Sequence, residues 1–205
     1  MRSRWLLSMV ALVLSTALGA GMSAQQQERG GGAGRGAGGG RGGRGGFSLP
    51  PLLMQTDAFP DGGIVPAKYT GRGGVQPAFK FTGAPEGTVS YAIIFHDIDV
   101  ALQGGTGDVL HWMAWNIPAS AGGIPEGKLP EGSVQGNNIT NQPGYMGPAA
   151  PAGPRYHHYV FELYALNANL DLPATASRDD LLKAMAGKTV AKSAYVGRFR
   201  SEPTQ

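Results

Sequence analysis

From residue 47 onward, short apolar runs alternate with clusters of Gly, Pro and Asn. Apolar segments punctuated by turn formers at this spacing predict an all-β sandwich or barrel. The pattern places strands over residues 89–96, 109–117, 157–166 and 190–199, with weaker candidates near 68–69 and 78–81. Several of these runs are apolar at successive positions rather than at alternate ones, so the central strands are expected to be covered on both faces. One helix is signalled near the C-terminus. Ser177 stands as N-cap, Asp180 completes a capping box, Leu181, Leu182 and Met185 are expected on one face, and Gly187 stops it. The stretch from Ala119 to Pro154 is rich in Gly, Pro and Asn. It exceeds ordinary loop length, and loops that long are commonly functional.

The first part of the chain has a different texture. Arg2 and Arg4 precede an apolar run from Trp5 to Leu18, and small residues lead to a cut expected after Ala24, although Met22 stands where a small residue is usual. The run is shorter than the roughly 20 residues needed to span a bilayer. Residues 1–24 therefore read as a cleaved export signal, with an uncleaved N-terminal anchor as the alternative. No integral membrane span is expected, and a periplasmic or secreted location follows. Residues 25–46 form a Gly/Arg-rich linker that lacks apolar surface to bury, which predicts a disordered tether. Residues 47–205 remain as one domain.

Charge and cysteine content narrow the function classes. The chain has 205 residues, 17 Lys and Arg, 14 Asp and Glu, and no cysteine. Six of the cationic residues but one acidic residue precede Phe47, which leaves the folded part at −2. That balance argues against a nucleic-acid partner. The absence of cysteine excludes disulfides and thiolate metal sites, so stability has to come from a packed core.

Three segments carry candidate chemistry: SYAIIFHDIDV ending in Asp97 and Asp99, VLHWMAWNIP with His111, and PRYHHYVFELYAL with His157. Residues two apart on a strand share a face, so both carboxylates are expected on one side of a strand end. Strict alternation would put His111 with Met113, Trp115 and Ile117, and its plain reading is a satisfied core histidine. His157 aligns with Tyr159, Phe161 and Leu163, while His158 points the other way with Glu162 and is expected to pair with a carboxylate. The two aspartates admit three roles: capping backbone N–H groups, ligating a metal with His111 and His157, or orienting a histidine. The loop NQPGYMGPAAPAGPRY is expected to leave N–H groups free for an anion and to bring Tyr145 to the rim. No G-x-S-x-G elbow, phosphate loop or dinucleotide fingerprint is present, and no cofactor is implied.

At these residues the chain resembles the phosphatidylethanolamine-binding protein family, in its bacterial Raf-kinase-inhibitor-like branch. The family pattern appears in order as HDIDV, HWMAWNIP, GYMGPAAPAG and HHYVFELYAL, with FPDGGIVPAKYT before and AYVGRFR after, over residues 56–200. The resemblance implies a sandwich of two antiparallel sheets of Greek-key type with a C-terminal-region helix. It also implies a small pocket for phosphate-like anions built by Asp97, His111, Gly147, Pro148, His157 and Tyr159, with Asp99 nearby. Departures are Ile98 in place of a family proline, Ala149 in place of a cysteine, Asn141 in place of a glycine, and the eroded segment QPAFKF. The expected function is an exported, non-enzymatic binding protein for a small phosphorylated or anionic ligand. In that expectation His111 and His157 both donate to the anion. Two alternatives stand beside it: an inhibitor of an envelope protease acting through residues 119–154, and a His/Asp-dependent hydrolase with or without a metal. The oligomeric state is open, with a homodimer among the options.

Overall fold

The structure, a computed structural model, describes residues 51–71 and 73–203. The expected signal and tether lie outside the described residues. The strands are β1 (Leu53–Gln55), β2 (Gly63–Ile64), β3 (Phe79–Thr82), β4 (Ser90–Asp97), β5 (Val109–Pro118), β6 (Gly123–Ile124), β7 (Val134–Gln135), β8 (His157–Leu166) and β9 (Thr189–Phe199), with one α-helix, α1 (Arg178–Met185). They form a small sheet in the order β1-β3-β6 and a large sheet in the order β2-β9-β8-β4-β5-β7. Pairing is antiparallel except at the edge, where β2 runs parallel to β9. Two wholly antiparallel sheets were expected. The exception arises because Gly62 donates to the Val196 carbonyl and Val65 to that of Arg198, which lays this segment alongside β9.

The large sheet has apolar cover on both faces. Tyr91, Ile93 and Phe95 of β4 meet Phe79 and Phe81 of the small sheet, together with Phe161 and Leu163 of β8. Ala92 and Ile94 point to the opposite face, where Leu181 and Met185 of α1 pack with Met113, Trp115 and Leu166. Burying a side chain such as Phe95 or Leu181 stabilises by roughly 1.5–3 kcal/mol. The helix is closed by its capping box: Ser177 Oγ accepts from the Asp180 N–H at 3.2 Å, and Asp180 Oδ2 accepts from the Ser177 N–H at 3.1 Å. Leu182 does not share the buried face as expected, since it is 40% exposed.

Alternation fails in β5. His96 pairs with Leu110 and Phe95 with Trp112, so His111 is an extra residue with no partner on β4. A second irregularity lies between Tyr91 and Ile93, where Asn116 takes a left-handed φ of 54°. A bulge offsets the pleat by one residue. His111 therefore turns from Met113 and Trp115 toward Phe95 and Tyr159, with ring centroids at 5.4 and 5.2 Å. The weak strand expected at 68–69 is instead a 3-10 turn, Ala67–Tyr69, closed by Tyr69 N–H to the Pro66 carbonyl. The long segment 119–154 is tied down by β6, β7 and a bridge between Asn137 and Pro143.

Candidate functional site

The site forms where β4 ends beside the start of β8. Register sets Asp97 opposite Tyr159, which puts His157 just beyond the last β4 residue. Asp97 is only 3% exposed. Its Oδ2 accepts from His157 Nδ1 at 2.8 Å, and its Oδ1 accepts from the Asp99 backbone N–H at 2.9 Å. Asp97 thus both orients a histidine and caps a turn, two of the three roles open to it. The Tyr159 hydroxyl accepts from the Ala149 N–H at 3.2 Å. Burial first, and then the Asp97 charge, hold its phenol well above the usual tyrosine range.

His111 is 3% exposed, and its Nδ1 meets the Met146 carbonyl at 2.9 Å. The Met146 N–H returns a bond to the His111 carbonyl at 3.0 Å. Burial lowers the His111 pKa from its ordinary 6.5, with the Met146 carbonyl acting in the opposite sense. Met146 acts through its backbone alone, so its residue type gives no sequence signal.

Gly147 and Pro148 shape the wall through close approach. A Cβ on Gly147 would stand 2.3 Å from the Tyr69 carbonyl oxygen. The Gly147 N–H donates to the Gly71 carbonyl at 3.0 Å, and the Pro148 carbonyl accepts from Gly71 at 2.8 Å. The loop's N–H groups were expected to be free, but those of Met146, Gly147 and Ala149 are all engaged within the protein. Tyr145 is likewise turned inward from the expected rim, stacked on Phe95 with its hydroxyl donating to the Tyr69 carbonyl at 2.9 Å.

Asp99 does not share a face with Asp97, because β4 ends at Asp97 and Asp99 lies in the following turn. Its carboxylate accepts from the His158 backbone N–H at 2.6 Å, from His158 Nδ1 at 2.9 Å and from Arg155 at 3.2 Å. His158 is thus paired with a carboxylate as expected, that of Asp99. The four residues considered as metal ligands do not assemble: among the described residues, no three His, Cys, Asp or Glu side chains are grouped to hold a metal ion.

Both Nδ1 atoms are committed within the protein, that of His157 to Asp97 and that of His111 to Met146, and the Gly147 backbone is a further partner of the His111 ring. Both rings lie against Tyr159, His111 edge-on and His157 stacked at 6.5 Å. No helix among the described residues is long and apolar enough to cross a membrane.

Known proteins share this arrangement of chain. A UPF0098 protein of Methanothermobacter thermautotrophicus is 39% identical over 155 residues, covering 73% of this chain and 99% of that protein. A Mycobacterium tuberculosis protein named as a lipoprotein, LppC, is 31% identical over 150 residues, 73% of this chain and 72% of its own length. Among solved structures, the phosphatidylethanolamine-binding protein homologue CT736 of Chlamydia trachomatis has a TM-score of 0.67 at 27% identity, covering 75% of this chain and 99% of that one. YbcL of E. coli, described as a member of the mammalian family, also has a TM-score of 0.67, at 25% identity over 74% of this chain and 99% of its own. The family profile described as phosphatidylethanolamine-binding protein matches residues 55–200, and on these grounds the chain belongs to that family.

Proposed function

We propose that this is an exported, non-enzymatic binding protein that holds a small anionic group, a phosphate or phosphorylated headgroup, at Asp97, His111, His157 and Tyr159. The observation that carries the reading is the buried 2.8 Å contact between Asp97 and His157. The carboxylate at Nδ1 fixes the orientation of the ring and leaves Nε2 as the nitrogen through which it would meet an anion. Gly147 and Pro148 act as the wall that keeps the loop against Tyr69, and Asp99 acts at one remove as the anchor of Arg155 and His158. A charge-assisted hydrogen bond contributes about 1.5–3 kcal/mol, and one or two of them after the cost of association give a weak, exchangeable ligand. Export to the periplasm or beyond is supported by the charged and apolar start of the chain and by the lipoprotein name of its LppC relative.

The test is an NMR or calorimetric titration of the protein with inorganic phosphate and phosphoethanolamine, beside a His111→Ala, His157→Ala double variant. Saturable binding that the double variant loses is the expected result. Absence of binding by the wild type would overturn the reading and bring inhibition of a partner protein to the fore.

A further inference from the structure

Tyr145, stacked on Phe95, also lines a cavity of about 330 Å³ together with Gln76, Trp112, Leu129, Gln135 and Gly144. None of the residues lining it is charged, and Asp97, His111 and His157 are not among them. Two amides face this cavity, and each is turned by neighbours whose chemistry admits one orientation. Gln76 is 5% exposed, and its Nε2 donates to the carbonyls of Pro77 and, at 2.9 Å, of Pro125. Carbonyls only accept, so the nitrogen is committed to them, and Oε1, which has no partner among the described residues, is left as an acceptor. Gln135 is wired in the opposite sense. Its Oε1 accepts from Trp112 Nε1 at 3.3 Å. An indole N–H only donates, so the oxygen is held there and the Nε2 of Gln135 is left as a donor. Trp112 is itself fixed, 1% exposed and edge-on to Tyr145 with ring centroids 5.9 Å apart.

We propose that this cavity is a second binding site, separate from the anion site, that takes a small uncharged carboxamide, its N–H donated to Gln76 Oε1 and its carbonyl accepting from Gln135 Nε2. An amide carries a donor and an acceptor on neighbouring atoms, which is the complement of what the two glutamines leave free. A carboxylate would set an oxygen against Gln76 Oε1 and would lose its water with no cation among the lining residues. A hydrocarbon would leave the Gln76 oxygen unpaired. Two kinds of small molecule carry the group: amino sugars, in an acetamido substituent, and glutamine or asparagine derivatives, in the side chain.

The test is an NMR titration of the whole protein, read at the side-chain amides of Gln76 and Gln135 and at the indole N–H of Trp112. Acetamide is compared with acetate, and N-acetylglucosamine with glucose; N-acetylglutaminamide beside N-acetylglucosamine shows which source binds tighter. The expected result is saturable shifts of those resonances by the amide probes, at affinities about tenfold or more above acetate and glucose, because a site built to pair a polar group rejects the analogue that lacks it. Gln135→Glu keeps an oxygen for Trp112 and exchanges the donor for a second acceptor at an exposed position. It should weaken the amide probes about tenfold and leave phosphate affinity within roughly twofold of wild type. Acetate or glucose binding as tightly as the amide probes would overturn the proposal, as would unchanged affinity in Gln135→Glu or the absence of any shift at Trp112.

Discussion

Asp97 commits one oxygen to His157 and the other to the Asp99 N–H, so its replacement disturbs two elements at once. Asp97→Ala should cost about 1–3 kcal/mol by leaving buried donors unpaired, read as a lower urea midpoint, and should also abolish phosphate binding. Gly147→Ala belongs at the same scale. The obstacle is a backbone carbonyl 2.3 Å from the added carbon, so the loop itself must shift, and we expect lost stability together with chemical-shift changes at His111 and Met146. Acid should act in two windows. The pKa of His111 is lowered by burial, so its contribution to stability is complete above its ordinary 6.5 and declines as pH falls below that value. Asp99 and Asp108 have carboxyls held below their ordinary 3.8, burial notwithstanding, by hydrogen bonds with His158 for Asp99, and with His96 and Arg178 for Asp108. Their contributions persist above 3.8 and fall away below it. Denaturation midpoints measured from pH 8 to pH 3 should therefore fall in two steps, with the upper one absent in His111→Gln.

At the scale of elements, the four long strands and α1 could be read from apolar runs and a capping box. The bulges in β5 could not. Strict alternation misassigned the face of His111 because the extra residue carries no compositional mark; what fixes it is the pairing of β4 with Leu110 and Trp112. The second bulge has a visible device, since Asn116 at φ 54° also grips the Leu170 backbone through two hydrogen bonds of 2.9 and 2.7 Å. Asn116→Ala loses both bonds and keeps the strained backbone, for an expected cost of about 2–4 kcal/mol. Asn116→Asp retains the acceptor and a side chain tolerant of positive φ, so its urea midpoint should lie between those of Asn116→Ala and wild type. Strands of two or three residues such as β2, β6 and β7 also escaped sequence reading. They exist because long neighbours supply the register, and their own residues have no periodicity to show.

Across the whole molecule, the large sheet separates two polar clusters. Asp97, His111 and His157 lie toward the small sheet, while His96, Asp108, Arg178 and Glu162 gather beside the helix-covered face. There Asp108 bridges His96 and Arg178, and His96 Nε2 lies 3.7 Å from Glu162. This second cluster joins α1 to the sheet. Asp108→Ala should lower stability by about 1–3 kcal/mol through the exposed demands of Arg178 and His96, and leave phosphate affinity within about twofold of wild type. A larger loss of affinity would mean that the faces are coupled through β4. The sequence displayed all of these residues, but it could not assign them to faces, because the sorting depends on bulges and on which strands are neighbours.

The pairing of Asp97 with His157 spans 60 positions of chain, and Tyr145 reaches back 76 to Tyr69. No short stretch of chain contains the assembled site, and the β4–β8 ladder has to close before His157 finds Asp97. Contacts this distant in sequence are slow to form, so affinity for an anion should be among the last properties a refolding chain acquires. A ligand held there would bind the finished protein and hardly any earlier species, and would raise the free energy of unfolding by mass action.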